Sequence, residues 1–219
     1  MMPDPLNFAV IPTNGRACYK DCVASIQDQV GQIILVEGGS HIDTVHGPYP
    51  TMVIRETELN ISKWWNRALV LAEKLAKSEG AEQWNVAILN DDTIIPPGWM
   101  ETVSLAMREE NAAAACSGGT AIPYRIVHRE PGPVGLISRM KGFAFILAGE
   151  KGLRANEQLR WYFSDDHVDW MARRLGGMVV IPGFPVEHLY PNQQVTPEIQ
   201  QIIAEDAQSF QGYWGMRPW

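Results

Sequence analysis

Short apolar runs alternate along this chain with segments whose apolar residues recur every three or four positions. Residues 6–11 form the first run and end at Pro12-Thr13-Asn14-Gly15, which reads as a buried strand closed by turn residues. Over 17–30, Cys18, Cys22, Val23, Ile26 and Val30 keep helical spacing. Residues 33–37 are apolar up to Glu37 and stop at Gly38-Gly39, the pattern of a parallel strand covered on both faces. Residues 51–55 form a short candidate strand. Asn60 is a fitting N-cap for a helix traced by Ile61, Trp64, Ala68, Leu69, Ala72 and Leu75 and ending near Gly80.

A strand over 86–89 follows, then a helix over about 99–110 and a strand over 112–116. Residues 121–140, rich in Pro, Gly and bases, read as an irregular insertion or mobile loop. Strand candidates at 142–147, 178–181 and 186–189 complete the set, with a helix over about 166–175. Repeated β-α units predict an α/β fold, a mostly parallel central sheet with helices on both faces. The tail after Pro191 is polar and then aromatic, with Phe210, Tyr213, Trp214 and Trp219, and is expected to pack back on the body.

The strand at 86–89 ends abruptly in Asn90-Asp91-Asp92-Thr93, and Pro96-Pro97-Gly98 then turns the chain. Ligands bind at strand ends in open α/β sheets. Clustered oxygen donors there suit a hard divalent cation, which in turn suits a diphosphate. The plainer account has Asn90 and Asp92 capping a turn and the next helix.

The length of 219 residues favours one domain with a substantial core. Cys18, Cys22 and Cys116 form no CxxC pair and are odd in number, which fits a reducing compartment such as the cytoplasm. Cys18 and Cys22 read as small buried apolar residues rather than half a metal site. No run approaches the ~20 apolar residues of a membrane span, and residues 1–6 lack the form of a secretory signal. The net charge of -7 argues against non-specific nucleic-acid binding. Residues 121–175 nevertheless carry nine Lys/Arg against six acids, which leaves room for an anionic ligand.

Five local patterns follow one another over residues 8–190. They are Ala9-Val10-Ile11-Pro12-Thr13-Asn14-Gly15-Arg16, Ile34-Leu35-Val36-Glu37-Gly38-Gly39-Ser40, Asn90-Asp91-Asp92, Lys141-Gly142-Phe143-Ala144-Phe145, and Ser164-Asp165-Asp166-His167 running to Gly176-Gly177. In that order they resemble the family-two-like glycosyltransferases of the GT-A fold: the opening strand with its Pro-Thr-x-x-Arg turn, the second strand with an acid before Gly-Ser, the metal-binding DxD, the glycine-led strand beneath the acceptor site, and the acidic segment with its helix. Pro185-Val186-Glu187-His188 follows where many members have a late histidine. One departure stands out: Asn90 replaces the first acid of the DxD, so metal affinity leans on Asp92 and His188.

The resemblance implies one GT-A-like domain over 1–219, with a nucleotide-sugar half to about 95, an acceptor half to about 190 and a C-terminal tail. It implies an inverting hexosyl- or pentosyltransferase that uses a nucleotide-diphosphate sugar with Mn²⁺ or Mg²⁺. Asp92 and His188 would ligate the metal, a Lewis acid for the departing diphosphate. Asp91 would orient the ribose or a metal-bound water, and Asn90 would donate to a phosphate or ribose oxygen. Arg16 and Lys141 would add positive charge, while Glu37 and Thr13 would line the nucleobase pocket. Asp166, with Asp165 second, would be the general base on the acceptor hydroxyl. Each assignment has a plain competitor: Asp165 and Asp166 also suit a helix N-terminus through the macrodipole, and His188 suits a structural role at a strand end.

Trp64 and Trp65 read as core, while Trp161 and Trp170, flanking the acidic pair, are candidates to stack on an acceptor. The acceptor stays open between a glycan, a protein and a hydroxylated nucleic-acid base. Two other functions compete. A nucleotidyltransferase would want a Gly-rich phosphate loop after the first strand, where Pro12–Arg16 offers Gly15 alone. A non-catalytic nucleotide-sugar-binding module is permitted by Asn90 and disfavoured by Asp92 with the Asp165–Asp166 pair.

Overall fold

The computed structural model describes residues 5–38, 51–190 and 196–217. Gly39, Ser40, the first four residues, Pro191 and Trp219 lie outside the described residues. An eight-stranded sheet in the order β3-β2-β1-β4-β8-β6-β9-β7 organises the chain. Its strands are β1 (Leu6–Thr13), β2 (Gln32–Gly38), β3 (Thr51–Glu56), β4 (Trp84–Leu89), β6 (Ala114–Ser117), β7 (Ile126–His128), β8 (Ala144–Ala148) and β9 (Met178–Ile181). β1 to β4 are mutually parallel, as are β6 and β9, whereas β8 runs antiparallel between β4 and β6. The sheet is thus mostly parallel, as the pattern predicts.

Strand pleating sends alternate residues to opposite faces, and the core follows it. Phe8, Val10, Ile34 and Val36 pack with Trp64, Trp65, Ala68 and Leu69 of α2 (Ile61–Ser78). Ala9, Ile11, Ile33 and Leu35 face the other way. They meet α1 (Tyr19–Ile26) and α3 (Trp99–Glu109) through Cys22, Val23, Ile26, Trp99, Met100 and Met107. Truncating one of these buried aliphatic residues to Ala costs about 2–5 kcal/mol. Asn60 does cap α2, its side chain accepting from Lys63 N at 2.9 Å.

Several boundaries differ from the sequence pattern. α1 stops at Ile26 and a single 3₁₀ turn, Gln27–Gln29, follows, because the Gln29 side chain bonds Pro96 O and Met100 N and holds that turn against the start of α3. Residues 121–140 are not wholly irregular: β7 pairs antiparallel with β9 at the sheet edge. The strand expected at 186–189 shrinks to β10 (Glu187–His188), which leaves the main sheet to pair with β5 (Thr93–Ile94) in a two-stranded ribbon. α4 (Ser164–Arg174) begins two residues earlier than expected. The tail forms α5 (Pro197–Trp214), whose Phe210 and Trp214 pack with Leu159, Phe163 and Trp170.

Candidate active site

The carboxyl ends of β1, β2 and β4 lie side by side, with Thr13 in register beside Glu37. Because β8 is antiparallel, its leading residues reach the same edge, where Asn90 N donates to Phe143 O at 2.8 Å. A cleft of about 540 Å³ opens there. Its lining includes two groups, Thr13, Arg16, Asn90 and Asp91 in the first and Gly142, Asp165 and Asp166 in the second, with Lys141 and His188 also on the wall.

In the first group Thr13 Oγ1 donates to Asp91 Oδ2 at 2.8 Å, and Gly15 N donates to Thr13 Oγ1 at 3.1 Å. Arg16 grips Asp91 through Nη2 and Nε and reaches Asp92 Oδ2 through Nη1 at 3.4 Å. Both Asp91 oxygens are therefore occupied by this chain. Asp92 is fully buried beneath them. Its Oδ1 makes no hydrogen bond of good geometry, yet lies 3.1 Å from His188 Nε2. Burial alone would raise the Asp92 carboxyl, but His188 and Arg16 outweigh it and hold the group below the usual carboxylate range. The β5–β10 ribbon sets His188 opposite Thr93, and Phe143 stacks on its ring at 4.7 Å between centroids.

In the second group α4 projects Asp165 and Asp166 from its first turn. Phe163, just before it, adopts a left-handed conformation with φ of 61°, and Ser62 Oγ of α2 bonds Ser164 Oγ at 2.8 Å. Asp165 packs directly over Gly142. Burial pushes its carboxyl up, against the pull of the nearby Arg139 cation. Arg139 Nη1 lies 3.8 Å from Asp166 Oδ1. Lys141 donates Nζ to Leu136 O at 3.0 Å, and burial lowers its affinity for a proton.

No protein-family model matches this sequence, and no curated protein sequence does. Solved structures do match. A 1–349 piece of TarS from S. aureus aligns with a TM-score of 0.56 at 14% identity, covering 95% of this chain and 72% of that one. The same piece in complex with UDP-GlcNAc gives 0.54 at 13% identity, covering 94% and 66%. A longer TarS chain gives 0.57 at 13% identity, covering 94% and 40%, so this chain spans well under half of that protein. The fold is of the GT-A type.

Within this GT-A fold the expected site residues divide. Thr13, Arg16, Asn90, Asp91, Lys141, Asp165, Asp166 and His188 line one cleft, and Asp92 lies just beneath it against His188. Glu37 is not among the lining residues; it is buried and takes Arg55 Nε at 3.1 Å. Lys141 lines the same cleft as Arg16 and Asp91, its Nζ bonded to Leu136 O. Trp161 lines the cleft, whereas Trp170 is core, packed edge-on to Phe210 and Trp214. Trp64 and Trp65 are core as expected, each with an edge on the cleft wall.

Sequence reasoning gave four residues no place beside the acidic pair. Arg139 faces the acidic pair. The Asp169–Arg173 pair is buried in α4, and Arg173 Nη1 donates to Gly132 O at 2.8 Å, tying down the loop that carries Arg139. Asp206 of α5 accepts from three backbone amides beside the cleft. A signal for Asp206 existed: it falls on the apolar stripe of Ile203, Ala207, Phe210 and Trp214, where an acid needs a partner.

Proposed function

We propose that this chain transfers a sugar from a nucleoside-diphosphate donor to an acceptor hydroxyl, with inversion. The observation that carries the reading is one cleft at the carboxyl edge of a GT-A sheet, lined both by a cation-and-carboxylate cluster and by a paired carboxylate. A nucleotide lies naturally across the carboxyl ends of β1 and β4, which makes residues up to about 95 the donor half. Residues from there to about 190 make the acceptor half.

Arg16, fixed by Asp91, sets a guanidinium where the leaving diphosphate gains charge, and fixed cations of this kind are worth most in a water-poor site. Asp91, with both oxygens engaged, orients Arg16 and Thr13 rather than a metal. The remaining donors fit a divalent ion: Asp92 Oδ1 is buried without a good hydrogen bond and faces His188 Nε2 at 3.1 Å, the spacing of two ligands in one coordination shell. Among the described residues no three His, Cys, Asp or Glu cluster to hold a metal ion, so diphosphate oxygens and water would complete the shell, as is usual for Mg²⁺. A Mn²⁺ or Mg²⁺ there would supply Lewis acidity toward the departing diphosphate.

Asp166 takes the proton from the acceptor hydroxyl, with the Arg139 guanidinium 3.8 Å from its Oδ1 to aim it. Asp165, held toward its protonated form by burial, supports the acceptor rather than competing for its proton. A base on the opposite side from the leaving group gives single displacement and inversion. Glu37, in register beside Thr13 but paired with Arg55, supports the nucleobase wall rather than contacting the base. No helix among the described residues is long and apolar enough to cross a membrane.

The deciding experiment incubates the purified chain with a panel of nucleotide sugars, beginning with UDP-GlcNAc, and measures release of nucleoside diphosphate with and without Mn²⁺. Metal-stimulated release from one donor supports the reading. Release of pyrophosphate from a nucleoside triphosphate with a sugar phosphate would make it a nucleotidyltransferase, and binding without turnover a binding module.

A further inference from the structure

Asp206 is 1% exposed and lies on the face of α5 that packs against the body. Its Oδ1 accepts from Arg160 N at 3.0 Å, and its Oδ2 accepts from Trp161 N and Tyr162 N at 2.8 Å each. Three consecutive amides converging on one carboxylate make a charge-assisted anchor of unusual density. The segment it grips ends in left-handed Phe163 and leads into Asp165 and Asp166. Trp161, Tyr162, Phe163, Asp165 and Asp166 all line the cleft.

The other supports of this segment come from the body. Asn60 Nδ2 donates to Glu157 O at 2.9 Å, and Ile61 N donates to Arg160 O at 2.7 Å. The amides of 160–162 are met instead by Asp206. Nearby Arg160 also pairs with Glu205 at 2.7 Å, and Ile199 at the start of α5 reaches the cleft wall.

We propose that Asp206 is a positioning residue for the acceptor end: α5 clamps residues 160–162 through it, fixing the Trp161–Tyr162 wall and the aim of Asp166. The ligand set against that wall is a ring-bearing acceptor, since two aromatic side chains flanking a base offer stacking faces. This deepens the glycosyltransferase reading and rests on it. A nucleotide held at the Arg16–Asp91 cluster makes no use of the clamp.

The test is Asp206→Asn, which keeps the shape but turns an NH₂ toward backbone amides that need an acceptor. Amide hydrogen exchange in residues 157–166 should accelerate at least about tenfold, while UDP–Mn²⁺ affinity by calorimetry stays within about twofold of wild type. Transfer from the active nucleotide sugar to p-nitrophenyl glycosides should show a raised acceptor KM with an unchanged donor KM. Combining Asp206→Asn with Trp161→Ala should cost little more than the worse single change, since both act through one wall. Unaltered exchange at 157–166, a parallel loss of UDP affinity, or full additivity with Trp161→Ala overturns the proposal. If wild type turns over no nucleotide sugar, the glycosyltransferase reading falls instead, and the exchange and UDP measurements still judge the clamp.

Discussion

Gly142 lies directly beneath the Asp165 carboxylate, so close that a Cβ built on the glycine would stand 2.6 Å from Asp165 Cγ. Nothing larger than hydrogen fits between the loop entering β8 and the first turn of α4. The absence of a side chain at 142 therefore sets the height of the acidic pair above the sheet. Gly142→Ala should displace Asp165 and the start of α4, and a misplacement of ~1 Å at reacting groups costs roughly 100-fold. Transfer should fall by about that factor with UDP affinity near wild type; unchanged transfer would show that the pair tolerates displacement and does not act in the reaction.

Asp166→Asn removes the proposed base without changing side-chain size, so turnover should fall by roughly 10²–10⁴-fold while donor affinity is kept, the signature of a group acting only in the transition state. Asp165→Asn should be milder, because Asp165 is packed over Gly142 and burial pushes its carboxyl up, whereas Asp166 is the proposed base. Single-turnover rates with calorimetric donor binding check both. A crippled Asp165→Asn beside a mild Asp166→Asn would reverse the assignment.

If Asp92 and His188 are the protein donors of the proposed metal site, Mn²⁺ should bind weakly to the chain alone and tightly when UDP is present. Asp92→Ala and His188→Ala should each abolish the UDP-dependent gain, read by electron paramagnetic resonance of free Mn²⁺. Chelator treatment should remove donor turnover and added Mn²⁺ restore it. Full turnover after metal stripping would refute this assignment.

His167 predicts an acid limit to stability. Burial, with Arg174 close by, pushes its imidazole down to about 4, and its Nδ1 accepts from Trp214 Nε1 at 3.2 Å. The unfolded chain takes up a proton near pH 6.5 that the folded chain refuses until about pH 4. Stability from this group is thus complete above ~6.5 and is lost as pH falls toward 4, by up to about 3 kcal/mol. Urea unfolding at pH 7 and pH 4.5 should show His167→Phe losing about 2 kcal/mol less than wild type between the two. Equal losses would mean that the ring titrates normally.

Trypsin should distinguish two parts of residues 121–140. Arg125 pairs with Glu109 at 2.8 Å and Arg129 with Glu110 at 3.3 Å, flanking a strand fixed in the sheet, so both should resist cleavage in either state. Arg139 follows exposed Leu136 and Ile137 on the cleft rim. Cleavage after Arg139 should be fast without ligand and slowed severalfold by UDP with Mn²⁺. The same rate in both states would remove any closing role for this rim.

Continuous apolar runs bounded by Pro or Gly marked β1, β2 and β4 because a strand buried on both faces has no polar alternation to confuse it. The reversed direction of β8 left no trace, since it is equally buried on both faces whichever way it runs. β7 was hidden in a basic, Pro-rich stretch because an edge strand with half-buried Ile126, Val127 and His128 has little apolar signal. The acid cluster at 90–92 was visible as carboxylates ending an apolar run.

What local chemistry dictates was therefore determined by the sequence itself: which segments become strands and helices, the Asn60 cap, and the presence of acids at a strand end and at a helix start. What each acid does was decided by partners far away in the chain. Thr13 and Arg16 turn Asp91 into an anchor from more than 70 residues off, Arg55 claims Glu37, and Asp206 reaches back 44 to 46 residues to hold the cleft wall. Hydrogen bonds and ion pairs are short-ranged in space and indifferent to separation in sequence, so only the folded sheet, by bringing its strand ends together, decides which partner each of these acids meets.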